Sequence, residues 1–317
     1  QADGSWSVGV TAAQVSAWPA GTVTVTVSGE SSAGNPVSIT HPVTVDLTPA
    51  AITINTIATD DVINAAEKGA DLILSGTTTN VEPGQTVTVT FGGKNYTASV
   101  ASDGSWSATV PAADLAALPD GSASAQASVS NINGNSASAV HSYSVDSSAP
   151  TIIINTVASD NIVNASEADA GVTVSGSTTA EVGQIVTVTL NSPTVQTYQA
   201  TVQADGSWSI NIPAADLAAL TDGSHTLTAT VNDKAGNPAS TTHNLAVDLT
   251  VPVLTINTIA GDDIINATEH GQALVISGSS TGGEAGDVVT VTLNSKTYTT
   301  TLDASGNWSV GVPAADV

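Results

Sequence analysis

The sequence predicts an all-β protein assembled from tandem antiparallel β-sandwiches, and three observations predict it. The first is a long period. Trp6, Trp106, Trp208 and Trp308 are spaced by 100, 102 and 100 residues, each in an Asp/Ser-Gly-Ser/Asn-Trp-Ser context. Asp46, Asp146 and Asp248 repeat at 100 and 102, and His41, His141 and His243 keep the same register. Self-similarity at a fixed period marks a repeat array, and a repeat of this length can fold as a domain with its own core. The second observation is the alternation of apolar and polar residues in short runs, the period of a half-buried strand. The third is the placing of Gly, Pro and Asn between those runs, where an antiparallel sandwich needs turns.

One period, Leu47 to Asp146, shows the elements in order. Thr48-Pro49-Ala50-Ala51 is a stiff junction, because proline fixes its own φ and holds its predecessor extended. Ile52–Ile57 alternates as the first strand, and the acidic segment 58–70 follows as a loop. Leu72–Gly76 is the second strand, and Glu82-Pro83-Gly84 is turn chemistry. Thr86–Phe91 and Tyr96–Val100 form a hairpin around Gly92-Gly93-Lys94-Asn95. After Ser102-Asp103-Gly104, Trp106, Ala108 and Val110 share one face of the next strand. Pro111–Leu118 is the one helix-like piece, with proline suited to the first helical position and length for only a turn or two. Ser122–Val129 and Ser136–Val145 close the repeat as a hairpin about Asn133-Gly134-Asn135, whose glycine recurs as Gly34 and Gly236 where positive φ is needed. About seven strands of similar length describe an Ig-like sandwich.

The same period divides the chain. Residues 1–47 read as the C-terminal half of a repeat, 48–147 and 148–249 as two complete repeats, and 250–317 as the N-terminal part of another. The chain is therefore expected to be a window on a longer array. Gln1 falls mid-repeat, so no signal peptide is sought there.

Charge excludes several roles. There are 28 acidic residues against four lysines and no arginine, with five histidines, and the formal net charge is −24. Nucleic acid needs its phosphates neutralised by Lys and Arg, which are nearly absent. The same deficit works against anionic membrane surfaces. No apolar run approaches the roughly 20 residues of a membrane span, so no membrane insertion is expected in this segment. Without cysteine there is neither a disulfide framework nor a thiolate metal site. A secreted chain of this kind needs another source of stability, and metal ions are one.

A short acidic stretch occurs three times: Asp60-Asp61-Val62-Ile63-Asn64-Ala65-Ala66-Glu67, Asp160-Asn161-Ile162-Val163-Asn164-Ala165-Ser166-Glu167 and Asp262-Asp263-Ile264-Ile265-Asn266-Ala267-Thr268-Glu269. Carboxylates and amides at this density, with almost no basic partners, suggest a hard-cation site, and calcium is the expected ion. It would bind where one repeat meets the next. Calcium takes about six to eight oxygens at roughly 2.3–2.6 Å, more than one such loop offers, so junction, backbone or water oxygens must complete the set. If strands alternate between two poles, the acidic loop lies at the pole where the last strand delivers the chain to the next junction. Asp60, Asp61 and Glu67 then come near Asp146, and Asp160, Asn161 and Glu167 near Asp248. Pro119-Asp120-Gly121 falls at the same pole, and the following repeat's hairpin loop, for example Asn232-Asp233, points back toward it.

Several phrases recur in fixed order over the whole chain: Asp-Gly-Ser-Trp-Ser, Val-Pro-Ala-Ala-Asp-Leu, Ile-Asn-Thr-Ile-Ala-x-Asp-Asp-x-Ile-Asn-Ala-x-Glu, Asn-Asp-Lys-Ala-Gly-Asn-Pro and Val-Asp-x-Thr-x-Pro. Together they resemble the tandem bacterial Ig-like repeats of giant type I-secreted adhesins and biofilm-associated (Bap-like) surface proteins. The resemblance implies a stalk on the surface of a Gram-negative bacterium, secreted unfolded and folding outside the cell in calcium. It further implies metal ions at or near repeat junctions that stiffen the rod. By motif match the implied ligands are Asp46, Asp60, Asp61, Glu67, Asp146, Asp160, Asn161, Glu167, Asp248, Asp262, Asp263 and Glu269. Two departures bear on this. Asn161 stands where the other copies have aspartate, and residues 131–135 read Asn-Ile-Asn-Gly-Asn where the next repeat has Asn-Asp-Lys-Ala-Gly. Ligand charge tunes calcium binding, so affinity is expected to vary between junctions.

Rival readings weigh less. The tryptophans could stack on sugars, but their same-face partners place them in the core, and Trp18 falls where other repeats carry Leu118 and Leu220. The in-register histidines have no cysteine or second histidine nearby, which makes a poor zinc site. Thr88/Thr90, Thr187/Thr189 and Thr290/Thr292 are the wet sides of strands. No nucleophile elbow, phosphate-binding loop or zinc-protease motif appears. A carboxylate pair present in every repeat suits structure better than glycoside hydrolysis, and no enzyme is expected. The expected function is a calcium-rigidified stalk segment of a large extracellular adhesin, supporting cell adhesion and biofilm formation, with neighbouring repeats of the same chain as partners. The alternative is that the repeats themselves form a self-association or glycan-binding module, meeting other copies on adjacent cells or host glycans.

Overall fold

The computed structural model describes residues 4–191 and 195–317, so Gln1 and its place in the repeat lie outside the described residues. The chain forms two compact units, one of Gln1–Ala149 with Ala235–Asn237, the other of Pro150–Lys234 with Pro238–Val317.

Unit 1 begins with α1 (Ala12–Val15) and the hairpin of β1 (Gly21–Glu30) and β2 (Pro36–Val45). It continues through β3 (Ala51–Ile52), β4 (Val62–Ile63), α2 (Ala65–Lys68), β5 (Leu72–Thr79), β6 (Thr86–Phe91) and β7 (Lys94–Ser99). After these come β8 (Ser105–Val110), α3 (Ala112–Ala116), β9 (Gly121–Ser130) and β10 (Ser136–Val145). A three-stranded sheet, β3-β5-β8, packs on a five-stranded one, β4-β10-β9-β6-β7. Their inward residues, among them Leu74, Val87, Val89, Phe91 and Val110, close one core. Phe91 and Tyr143 stack within it at 4.6 Å between ring centroids, a favourable aromatic spacing.

The sandwich follows the sequence expectation, with corrections of detail. The acidic segment is not wholly a loop. It contains β4, which runs parallel to β10 with Val62 opposite Ser144 and Ile63 opposite Val145. The chain therefore leaves the three-stranded sheet after Asn55, whose N–H still bonds the Ser75 carbonyl, and joins the other sheet at Val62. Ile57 and Ile63, both buried, anchor the two ends of this crossing. A two-residue strand has no period to betray it, and its partner is some eighty residues away.

A smaller correction concerns proline. Pro111 caps α3 rather than opening it, with φ −65° and ψ 147°. In that extended form its carbonyl accepts the N–H groups of Asp114 and Leu115 at 2.9 and 3.2 Å.

Unit 2 repeats the order. It runs β11 (Ile152–Ile154), β12 (Ile162–Asn164), α4 (Ala165–Ala170), β13 (Val172–Thr178), β14 (Ile185–Asn191), β15 (Gln196–Thr201) and β16 (Ser207–Ile212), then α5 (Ala214–Leu217), β17 (Gly223–Asn232) and β18 (Pro238–Asp248). These form β11-β13-β16 and β12-β18-β17-β14-β15. The remainder supplies β19 (Val253–Ile256), β20 (Leu274–Thr281), β21 (Val288–Leu293), β22 (Lys296–Thr301) and β23 (Asn307–Val312), paired as β19-β20-β23 and β21-β22.

Trp106, Trp208 and Trp308 are buried as their alternation predicts. Each lies on a glycine of the neighbouring strand. A Cβ on Gly176 would stand 1.9 Å from the Ile153 carbonyl oxygen and 2.5 Å from the Trp208 ring, and Gly76 and Gly278 are equally confined. Trp6 departs from the expectation and is 64% exposed. Residues 4–46 form one short helix and one hairpin, with no second sheet over that indole among the described residues. Trp18 is only half-buried for the same reason.

A tie between strand and helix also recurs. The hydroxyls of Tyr96, Tyr198 and Tyr298 donate to Asp114, Asp216 and Asp316 at 2.7, 2.6 and 2.7 Å. Burial, with the Asp114 carboxylate beside it, pushes the Tyr96 hydroxyl up to about 12.

The glycine contact yields the first prediction. Gly176→Ala should destabilise its repeat by about 1–3 kcal/mol, the usual range for overpacking a tight core. Calorimetric unfolding of the whole chain reads the change, and an unmoved transition would contradict the packing described.

Candidate functional site

The acidic stretch is held from its second residue. Ala58, Thr59 and Asp61 have φ of 51°, 74° and 65°, a left-handed conformation that costs ordinary residues roughly 1–2 kcal/mol and that Asp and Asn adopt more readily. Asp61 closes the turn on both polar groups of Ile57. Its N–H donates to the Ile57 carbonyl at 2.7 Å, and its Oδ1 accepts the Ile57 N–H at 2.8 Å. The same Oδ1 lies 2.7 Å from His141 Nε2, and the Asp61 carbonyl accepts the Ser144 N–H at 2.9 Å.

Asn161 repeats this in unit 2, with φ 68°, the Val157 N–H at 2.9 Å and His243 Nε2 at 2.7 Å. Asp263 accepts the Ile259 N–H at 2.8 Å. The position needs a short side chain with an acceptor oxygen. Asparagine meets that need as well as aspartate, which accounts locally for the Asn161 departure. Two of the in-register histidines, His141 and His243, which sequence reasoning left without a role, are partners of this turn.

The first and last acids of the stretch also have local work. Asp60, Asp160 and Asp262 accept the N–H two residues on, at 3.0, 2.9 and 3.1 Å. Glu67, Glu167 and Glu269 accept the N–H groups of Asn64, Asn164 and Asn266 at 3.0, 3.1 and 3.0 Å. Each asparagine Oδ1 in turn accepts the N–H of its glutamate. This reciprocal pair is a capping box, and its Asn-x-x-Glu spacing was present in the sequence to be read.

The junction aspartates Asp46, Asp146 and Asp248 accept the N–H of Thr48, Ser148 and Thr250 at 2.9, 3.2 and 3.1 Å. Two further acids stand beside them that the sequence-derived ligand set omitted. Asp120 accepts from the hydroxyls of Ser147 and Ser148 at 2.7 and 2.8 Å. Asp222 accepts the Leu249 N–H at 2.7 Å and the Thr250 hydroxyl at 2.5 Å. The available signal was an Asp-Gly pair at 120–121 and 222–223. In unit 1, Lys68 Nζ donates to the Leu118 carbonyl at 2.7 Å and the Ser147 hydroxyl at 3.2 Å, and lies 3.9 Å from Asp120.

The fold brings the acidic stretch beside the junction mainly through backbone. The Ile63 carbonyl accepts the Asp146 N–H at 3.0 Å, and Asn164 stands opposite Asp248 in the β12–β18 register. Among the described residues no three His, Asp or Glu side chains gather as a metal-holding group. The polar groups near the junctions are nevertheless mainly carboxylate, amide, hydroxyl and carbonyl oxygens, the set a hard cation prefers, with the Lys68 ammonium the exception in unit 1. A carboxylate accepting one or two hydrogen bonds retains lone pairs for a metal. The donor chemistry fits calcium, while a full shell needs oxygens beyond these side chains.

The hairpin tips complete the junction. Asn131 Oδ1 accepts the N–H groups of Asn133 and Asn135 at 3.2 and 2.9 Å, and Gly134 has φ 89°. Asn133 Nδ2 donates to Asp46 Oδ2 at 2.7 Å. Glu82 accepts the Ile132 N–H and Glu181 the Lys234 N–H, both at 2.8 Å. That equivalence aligns residues 131–135 with 233–237, one residue later than the sequence reading set them.

A family model described as a bacterial Ig-like domain matches residues 149–249. The solved structure of a Ca2+-stabilized adhesin that helps an Antarctic bacterium reach out and bind ice is 38% identical, over 99% of this chain and 78% of its own. The chain belongs to the bacterial Ig-like repeats of large adhesins. A structure bearing on host cell surface retention of a 1.5-MDa bacterial ice-binding adhesin is 37% identical over 86% of this chain and 89% of its own. A tetra-tandem repeat from the extending region of a large adhesion protein is 28% identical over 92% and 74%. The TM-scores are 0.45, 0.43 and 0.32, so kinship with these adhesin repeats rests on sequence identity rather than on superposition. No curated protein matches the chain.

Two predictions concern this adhesin repeat. Asn161→Asp should change stability by less than about 0.5 kcal/mol, whereas Asn161→Ala should cost about 1–3 kcal/mol by stranding the Val157 N–H; equal effects in calorimetry would contradict the turn. The second concerns pH. Thr48 holds Asp46, the Ile57 N–H holds Asp61, Ser147 holds Asp120 and the Leu249 N–H holds Asp222 below the usual carboxylate range. Carboxyls depressed in the folded state stabilise it above the unfolded value near pH 4, and that stability is lost as pH falls through their folded values. The unfolding midpoint in chelator should therefore drop below about pH 4; a midpoint that rises on acidification would refute the assignment.

Proposed function

We propose that the chain is a stalk segment of a large extracellular adhesin on a bacterial surface. Residues 48–147 and 148–249 act as complete repeats, and 1–47 and 250–317 as parts of others. The observation that carries this reading is the 38% identity, along nearly the whole chain, to a Ca2+-stabilized adhesin, joined to junctions whose polar groups are mainly oxygen. The role is mechanical and not enzymatic. Adhesion, biofilm support and type I export belong to the same reading, carried by the sequence resemblance.

Calcium, when bound, supplies the positive charge that a chain of net charge −24 lacks. Asp46, Asp146 and Asp248 would hold it at the junctions, and Asp60, Asp61 and Glu67 with their equivalents would contribute from the acidic stretch. Asp120, Asp222 and Asn133 stand close enough to these junction residues to join them. Without the ion, like charges repel across each junction, and salt screens that repulsion over a Debye length of roughly 8–10 Å.

The test is calorimetric titration with calcium, paired with small-angle scattering in calcium and in chelator. Heat of binding is expected, with a maximum dimension that shrinks or blurs on chelation. Replacing Asp146 by asparagine should remove binding events. No heat and no change in dimension would reject the calcium role while leaving the adhesin kinship intact.

A further inference from the structure

We infer that the junctions carry a second fastener that requires no cation: the asparagine that closes each hairpin tip. Within unit 1, Asn237 is 1% exposed and uses both ends of its amide. Its Oδ1 accepts the Ala65 N–H at 2.8 Å, and its Nδ2 donates to the Asp146 carbonyl at 2.9 Å. Asn64, the cap of α2, answers by donating its Nδ2 to the Ala235 carbonyl at 3.1 Å. Asn135 makes the corresponding bond one period earlier, from Nδ2 to the Asp46 carbonyl at 3.2 Å. The sequence places the same pair three times, as Gly34-Asn35, Gly134-Asn135 and Gly236-Asn237.

The chemistry of the clasp separates it from the metal. Its acceptor on each junction aspartate is the main-chain carbonyl, not the carboxylate, so neither protonation nor ligation of the carboxylate removes it. A neutral amide also adds no charge to an already acidic junction. Asparagine is required because one planar group must offer an acceptor and a donor in opposite directions. Aspartate keeps the shape but loses the donor and sets a charge against a carbonyl oxygen. A buried amide deprived of its partners is strongly disfavoured, which gives the clasp its hold.

The clasp rests on the reading of the chain as repeats in series, and not on calcium. The absence of cysteine permits spin labels at chosen cysteines without background. Labels at exposed Ser99 and Thr201 read the junction closed by Asn237, and labels at Thr26 and Ser128 read the one closed by Asn135. In chelator, Asn237→Ala is expected to broaden the Ser99–Thr201 distance distribution roughly two-fold, the scale of losing a desolvated contact from a two-state equilibrium, and to leave Thr26–Ser128 unchanged. Asn237→Asp should broaden it likewise, and Asn135→Ala should do the reverse of Asn237→Ala. An unchanged core circular-dichroism spectrum in each variant shows that the repeats remain folded. Distributions for Asn237→Ala and its parent that coincide in chelator overturn the clasp. A parent distribution identical in calcium and chelator, but broadened by Asn237→Ala, supports the clasp and rejects the calcium reading alone.

Discussion

The crossing between sheets at residues 57–61 is the constraint on which each repeat depends. The first strand must serve two sheets, and a chain cannot switch sheets without turning sharply through an unfavourable part of backbone space. Asp61 and Asn161 stabilise that turn by bonding both polar groups of a buried residue four positions earlier. Once the turn is set, β4 and β12 fall into register beside β10 and β18. The capped helices α2 and α4 then follow at the end of the sandwich. Position of the junction is thus inherited from a turn in the side of the domain.

Much of the sandwich was legible because burial and period-two alternation act on neighbouring residues. Trp106 and Trp208, the hairpin at Gly92-Gly93 and the tip at Gly134 all follow from local rules. The rest depends on partners distant in sequence. No local pattern announces that Val62 and Ile63 pair with Ser144 and Val145. The acidic stretch illustrates a second difficulty, since one carboxylate has several uses. Glu67 in an acid-rich run reads first as a ligand, and its Asn64-x-x-Glu67 spacing reads equally well as a helix cap. Strand alternation put Asp120 at the junction pole, but its partner Ser147, like the Leu249 partner of Asp222, lies 27 residues on and has no local signal.

The junctions combine two kinds of interaction with different sensitivities. The charge on carboxylates such as Asp46, whose pKa is held low by its bonds to Thr48, is open to acid and to screening by salt. The hydrogen bonds from the Asn135 and Asn237 amides to main-chain carbonyls join neutral groups. Lys68 adds a third element at one junction only, where its ammonium group is within reach of Asp120. Its counterparts are Ala168 and His270. Successive joints of one chain are therefore chemically distinct despite near-identical folds.

The parallel pairing of β4 with β10 has a mechanical meaning. The chain enters a repeat through β3 and β4 and leaves it through β10, so tension between the two ends draws these strands in opposite directions along their shared axis. The bonds from Ser144 to Asp61 and from Asp146 to Ile63 are then loaded in shear, together rather than one after another as in an unzipping hairpin. A domain tethered in series yields only when that small patch gives way as a whole, so pulling force is resisted beside the residues that also build the joint.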